Sequence, residues 1–173
     1  MERKLIPNED CRLDTLHLFD EWLLLAAGDF KAGKFNAMTI SWGSLGTMWN
    51  RPFVQVVVRP TRYTHQFMEG YPSFTLSAYP ADYHPALDLL GSKSGRDLDK
   101  IKASGLTPSA STRVAAPSFA EAELVIECRK IYFDDLEPGH FMADYIQKMY
   151  RNDFHRIYFG EIVAIQGTEK YHK

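Results

Sequence analysis

Phe35-Asn36-Ala37-Met38-Thr39-Ile40-Ser41-Trp42-Gly43 is a strand-length run that ends at a glycine-rich corner, Gly43-Ser44-Leu45-Gly46. A strand that only closed a core would favour Val, Ile and Leu, whereas this one sets Asn36, Thr39 and Ser41 among its apolar residues. Its small side chains shield little of the backbone. Such a strand can hydrogen-bond a flat polar ring, with Met38 and Trp42 as apolar cover. The alternative is a barrel strand whose hydroxyls bond only to neighbouring loops.

Upstream, Trp22-Leu23-Leu24-Leu25-Ala26-Ala27 is too short for a helix and reads as a buried strand, joined to the Asn36 strand by a hairpin loop over 29–34. Downstream, Phe53 to Arg59 has the β-branched density of a central strand, which Pro60 stops. A helix is predicted from Arg62 to Glu69, with Thr61 as N-cap and Phe67 and Met68 on its buried side. Ser73 to Tyr79 alternates polar and apolar and predicts a half-buried strand. Two helical pieces follow. The first runs from Tyr83 to Leu90; the second begins after Ser94, where Ser94 and Asp97 have capping-box spacing, and Gly105 caps its end.

Leu106 to Ser118 is expected to be a surface loop that touches a ligand or a partner subunit. Ala120 to Phe133 reads as a long strand with Leu124, Ile126 and Cys128 on one face and Glu123, Glu127 and Arg129 nearer solvent. Phe141, Tyr145 and Met149 at four-residue spacing predict an amphipathic helix between Glu137 and Asn152. The last strand, His155 to Ile165, is interrupted by Gly160, and 168–173 reads as a frayed tail. Many short strands with few helices predict a mainly β fold with added helices, a small closed barrel of unspecified type.

The 173 residues, 45% of them hydrophobic, suit one domain. A net charge of −2 leaves no basic footprint for nucleic acid, and no apolar run reaches the roughly 20 residues that cross a bilayer. The N-terminus carries charge where a signal peptide needs an apolar stretch, and the two cysteines, Cys11 and Cys128, fit reduced thiols; both point to the cytoplasm. Paired-cysteine motifs and histidines at i, i+4 are absent, so no metal site is expected. Gly91-Ser92-Lys93-Ser94-Gly95 lacks the order of a phosphate loop, and neither a hydrolytic triad nor a spaced carboxylate pair occurs.

Four segments in order carry a family resemblance: Asn36-Ala37-Met38-Thr39 with Ser41-Trp42-Gly43, Arg59-Pro60-Thr61-Arg62-Tyr63-Thr64, Ser94-Gly95-Arg96-Asp97-Leu98-Asp99-Lys100, and His155-Arg156-Ile157-Tyr158-Phe159-Gly160-Glu161-Ile162. Together they span most of the chain, which resembles the flavin reductase-like, FMN-binding split-barrel family, and its flavoredoxin branch in particular. The resemblance implies an FMN-binding split β-barrel that forms a homodimer with flavin near the subunit interface.

It also implies contacts to FMN from Asn36, Ala37, Met38, Thr39, Ser41 and Trp42, from Arg59, Thr61, Arg62, Tyr63 and Thr64 at the phosphate, and from Ser94 and Lys100. A helix N-terminus with free N–H groups beside Arg62 suits that phosphate, and without a Gly-x-Gly-x-x-Gly fingerprint FMN is expected rather than FAD. The ordinary alternatives are a capped helix with a solvated arginine and, at Lys100 and Lys102, a solvated face. His155 stands where flavin reductases of this type carry Gly-Asp-His, the motif associated with nicotinamide binding, but here Phe154 separates Asp153 from the histidine. The implied function is electron transfer from NADH or NADPH through FMN to free flavin or a redox partner protein. A flavoredoxin-like carrier without direct nicotinamide use, and a barrel binding module without redox chemistry, stand as alternatives.

Overall fold

A computed structural model of the chain describes residues 2–173. After the short β1 (Lys4–Leu5), the run of leucines and alanines forms β2 (Leu23–Asp29), which turns through Gly33 into β3 (Lys34–Ile40). Asp29 holds that turn, its carboxylate accepting the Ala32 N–H at 3.1 Å. β4 (Gly43–Met48) and β5 (Arg51–Val58) form a second hairpin around Trp49 and Asn50, both with positive φ. Next come α1 (Tyr63–Gly70), β6 (Ser73–Ala78), α2 (His84–Ser92) and α3 (Lys100–Ser104). The small ladder β7 (Pro108–Ser109) and β8 (Ser118–Phe119) precedes β9 (Leu124–Asp135), the single turn α4 (Asp144–Gln147) and β10 (Arg156–Gly167).

The main sheet runs β3-β2-β6-β9-β10-β5-β4, with β1 added to β10 and every pairing antiparallel. Its two edges, β3 and β4, follow one another in sequence through Ser41 and Trp42 without pairing, so the barrel is split and not closed. Inside lie Leu23, Leu25, Met38, Val54, Val56, Phe74, Ile126 and Tyr158. A second cluster, with Leu24, Ala26 and Ala37 packed on Leu87, Leu90 and Ile101, joins α2 and α3 to the outer face of the β3-β2-β6 half. Gly160 lets β10 cross the barrel over Phe74, because a Cβ there would fall 2.5 Å from the ring.

The hairpin, the β5 strand, helices α1 and α2 and the Gly105 cap agree with the sequence reading; several other expectations need correction. The glycine corner at 43–46 is a strand, since the Phe19 ring lies under Gly43 and the Phe53 ring under Gly46. β6 is buried on both faces, not half-buried, because Thr75 donates to Pro117 O (2.6 Å) beneath the 106–119 segment. Glu127 is wholly buried: its carboxylate accepts from Thr112 N and Oγ1, Arg113 N and Gln166 Nε2.

The helix expected between Glu137 and Asn152 shrinks to one turn. Pro138 and Gly139 break its start, and so short an isolated helix is marginal in water. α3 begins at Lys100 with Asp99 as its cap, accepting the Lys102 N–H, and not at Ser94. The tail is not frayed: Tyr171 is buried and donates to the Glu123 carboxylate at 2.5 Å, and His172 bridges to Cys11.

Candidate functional site

The split between β3 and β4 opens a depression of about 180 Å³ lined by Met38, Thr39, Ser41, Trp42, Val57, Arg59 and His155. Six residues singled out in sequence meet there. Ser41 and Trp42 are exposed because they form the link between the two sheet edges, while Val57 and Arg59 come from the end of β5. Met38 points into the barrel and Thr39 to the opposite face of β3, as strand alternation requires. The Thr39 hydroxyl donates to Leu87 O at 2.5 Å, tying β3 to α2.

His155, 8% exposed, precedes β10 and packs its ring 5.2 Å from that of Trp42. Its Nδ1 lies 2.9 Å from the Tyr150 hydroxyl, and Nε2 has no protein partner among the described residues. Burial first, and the Arg59 charge second, push the imidazole down to about 4, so it is neutral at pH 7. Phe154 turns away to pack on Phe141 and Tyr150. Arg59 holds this segment in place: it donates to the Asp153 carboxylate and to Met149 O, both at 2.8 Å, and lies over the Tyr150 ring. Asp153 therefore pairs with Arg59 and not with His155. Tyr150 and Val57 were invisible in the sequence, because neither stands in a motif.

The segment expected at a phosphate is arranged differently from a simple helix start. Arg62 takes the N-cap position of α1 in extended conformation, and Thr61 is exposed one residue earlier, its carbonyl accepting from Arg96 (3.1 Å). Thr64 is buried and accepts from Asn36 Nδ2 at 2.8 Å, so this pair joins α1 to β3. Ala37 is fully buried and offers a ligand backbone only. Ser94 accepts from Arg96 N in the turn before α3.

Arg62 and Lys100 form the unusual part. Arg62 donates to Gly91 O at 2.5 Å; Lys100, 3% exposed, donates to Leu90 O at 2.8 Å and Lys93 O at 3.2 Å. Neither meets a carboxylate among the described residues. Burial and, after it, the Arg62 charge bring Lys100 down to about 8; burial and then Arg59 lower Arg62 likewise. Cations desolvated beside one another without counter-ions create a positive potential that a phosphate would relieve, each charged bond contributing about 1.5–3 kcal/mol. The donor set fits an organic phosphate. It offers no metal cage, and no group of His, Cys, Asp or Glu among the described residues could hold an ion.

A larger groove, about 1000 Å³, lies beside this cation pair between β3, α1 and the 95–108 segment; Asn36, Tyr63 and Lys100 line it. Of the sequence-predicted residues, Met38, Thr39, Ser41, Trp42, Arg59 and His155 line the smaller depression and Asn36, Tyr63 and Lys100 the larger groove, whereas Ala37, Thr61, Arg62, Thr64 and Ser94 line neither.

The same fold is found in solved structures. Flavoredoxin of Desulfovibrio vulgaris (Miyazaki F) is 23% identical, with a TM-score of 0.67 over 98% of this chain and 78% of that one. Flavoredoxin from Methanosarcina acetivorans is 24% identical, with a TM-score of 0.67 over 100% and 79%. An FMN-binding domain of a flavin reductases-like enzyme from Shewanella baltica OS155 is 17% identical, with a TM-score of 0.67 over 96% and 77%. The flavin reductase like domain model matches residues 22–172. That match covers nearly the whole chain, from β2 to the buried tail, and with the split barrel it shows that the chain belongs to the flavin reductase-like domain family.

Proposed function

We propose that this chain is an FMN-binding oxidoreductase of the cytoplasm that accepts reducing equivalents from NADH or NADPH and passes electrons to free flavin or a protein acceptor. The observation that carries the reading is the pair Arg62 and Lys100, desolvated cations with only backbone carbonyls as partners, Lys100 lining the larger groove together with Asn36 of β3. Arg62 and Lys100 would hold the FMN phosphate, while Met38, Ser41, Trp42 and the β3 backbone bound the ring. Bound FMN would supply the hydride and electron transfer that no side chain here can perform. Neutral His155, positioned by Tyr150, would present Nε2 to an incoming nicotinamide as an orienting hydrogen-bond partner. Free thiols at Cys11 and Cys128 fit a reducing compartment, and no described helix is long and apolar enough to cross a membrane.

The assembly proposed is a homodimer. A depression of about 180 Å³ is below the roughly 300–1,000 Å³ of ligand pockets, so a second copy over the split would complete the ring site. That small volume also supports a second reading, a flavoredoxin-like carrier that admits no nicotinamide. Anaerobic spectra separate the two. Bleaching of bound FMN by NADH or NADPH, slowed about tenfold or more in His155→Ala with FMN content intact, supports the reductase. Bleaching only by dithionite or a reduced protein supports the carrier, and a colourless protein that binds no added FMN refutes both.

A further inference from the structure

Tyr150 does not line the β3–β4 depression; it stands one layer back, with its hydroxyl against Nδ1 of His155. The phenol is held from several directions. Its ring stacks on Phe141 at 5.9 Å and 4°, meets Phe154 at 4.9 Å, and carries the Arg59 guanidinium 5.1 Å from its centroid. Its backbone N–H donates to Gln147 O at 3.1 Å, and Arg59 donates to the preceding carbonyl, Met149 O. The imidazole is fixed in the same way, by the Trp42 ring at 5.2 Å and by the Leu136 N–H, which donates to His155 O at 3.0 Å. Turning either ring would break these contacts, so the 2.9 Å approach of hydroxyl to Nδ1 is built into the fold.

A neutral imidazole has one N–H and one bare nitrogen, and its bond to a hydroxyl can run either way. Donor and acceptor strength decide the direction. A phenol, with a pKa of about 10, is a stronger donor than a neutral imidazole N–H, and a bare ring nitrogen, whose conjugate acid lies at about 6.5, accepts far better than a phenol oxygen. Burial raises the phenol further, against the opposing Arg59 charge, so it keeps its O–H at neutral pH. Nδ1 is the partner of that hydroxyl among the described residues, and the reverse arrangement would leave the O–H without one.

We infer that Tyr150 donates to Nδ1 and thereby fixes His155 as an Nε2–H donor facing the depression, so that this site selects its ligand by a carbonyl-type oxygen. Tyr150 is a positioning residue that acts through the imidazole. A ligand N–H brought to the same place would meet a second donor. His155 in this form holds a carbonyl oxygen and stabilises negative charge that grows on it; it offers no bare nitrogen there to act as a base. On the nicotinamide reading above, on which this consequence rests, the carboxamide turns its oxygen and not its NH2 toward His155, which sets the rotation of that group.

Long-range proton–nitrogen correlation spectra of the protein labelled at its histidine nitrogens read the tautomer without any flavin chemistry, His155 being assigned by its loss in His155→Gln. Nδ1 should carry the shift of a bare ring nitrogen and Nε2 that of a protonated one. Tyr150→Phe keeps the ring packing and removes one oxygen; it should move both shifts toward the average of the two tautomers, with circular dichroism and a cooperative melt as folding controls. A protonated Nδ1 in the wild type, or shifts unmoved by Tyr150→Phe, would overturn the inference. Stopped-flow bleaching of bound FMN tests the consequence for the ligand. A reduced 3-acetylpyridine dinucleotide, which keeps the carbonyl oxygen and lacks the amide N–H, should half-saturate the protein within about threefold of the matching NADH or NADPH; weakening of about tenfold or more would overturn the donor role. Absence of bleaching by any of these dinucleotides would remove the nicotinamide reading alone, and the spectra would still decide the tautomer.

Discussion

The Tyr150 hydroxyl lies 2.9 Å from Nδ1 of His155, with the two rings edge to face at 80°. Five residues apart in sequence, they are held together by Arg59, which donates to Met149 O just before Tyr150 and to the Asp153 carboxylate between the two residues. The arrangement holds the imidazole neutral in a site that also contains a guanidinium. Its value of about 4 lies below the roughly 6.5 of an unfolded histidine, so between those values the unfolded chain binds more protons. Stability therefore falls as pH drops from about 6.5 to about 4, by about 3 kcal/mol from this group. His155→Gln should show a correspondingly shallower loss between pH 7 and pH 4.5 in urea melts. Parallel losses in the two proteins would mean that His155 titrates normally.

Lys100 leads to a pH dependence of opposite origin. An anion at the Arg62–Lys100 pair raises the ammonium from about 8 toward its ordinary range, so binding takes up protons near that pH and weakens as pH rises through it. FMN affinity should decline above about pH 8, whereas riboflavin, which lacks the phosphate, should show no such decline. Arg62→Ala should weaken FMN by about 1.5–3 kcal/mol and riboflavin far less. Calorimetry in buffers of different ionisation enthalpy measures both; FMN and riboflavin responding alike would remove the phosphate from this place.

Gly160 permits β10 to cross Phe74, and the prediction there concerns stability alone. In Gly160→Ala the new methyl would sit 2.5 Å from Phe74 Cζ and 2.8 Å from Cys128 Cβ, both fully buried and unable to withdraw. Overpacking of this kind costs about 1–3 kcal/mol. Gly70→Ala, with nothing within 4 Å, is the control and should stay within about 0.5 kcal/mol of wild type. Equal denaturant midpoints for the two variants would contradict the contact.

Legibility in the sequence followed the range of the contacts involved. β2, the hairpin and β5 were readable because their apolar runs and turn residues act locally. β4 was not, since what makes Gly43 and Gly46 strand residues is the rings of Phe19 and Phe53 beneath them. Alternation was correct for β6 and β9, but exposure was misjudged at Thr75 and Glu127 because the covering segment, 106–119, has no period of its own. At the site, Trp42, Arg59 and His155 were found together. Thr64 and Ala37, from the same motifs, turn into the protein, and the role of Tyr150 is set by a fold-back that helical spacing misrepresented as a long helix.

The outer face of β4, β5, β10 and β9 carries a cluster of aromatic rings. Trp49, in the left-handed region at φ 51, holds its ring 6.2 Å from both Tyr132 and Phe159, and Phe159 stacks on Phe53 at 5.5 Å. Trp49 is 60% exposed and Tyr132 45%. No described helix covers these rings, in contrast to the opposite half of the sheet, which α2 and α3 bury. Positive φ at Trp49 and Asn50 belongs to the two-residue hairpin turn, whereas the exposure of the Trp49 ring on this face is explicable if a second copy buries it. This face continues along β5 and β10 to Val57 and His155 at the depression, so dimer formation and ring binding should be linked. Trp49→Glu with Tyr132→Glu should yield a monomer by light scattering at micromolar concentration, with the melting transition still cooperative and FMN affinity lowered at least tenfold. A doubly substituted dimer, or a monomer that binds FMN as tightly as wild type, would separate this face from the site.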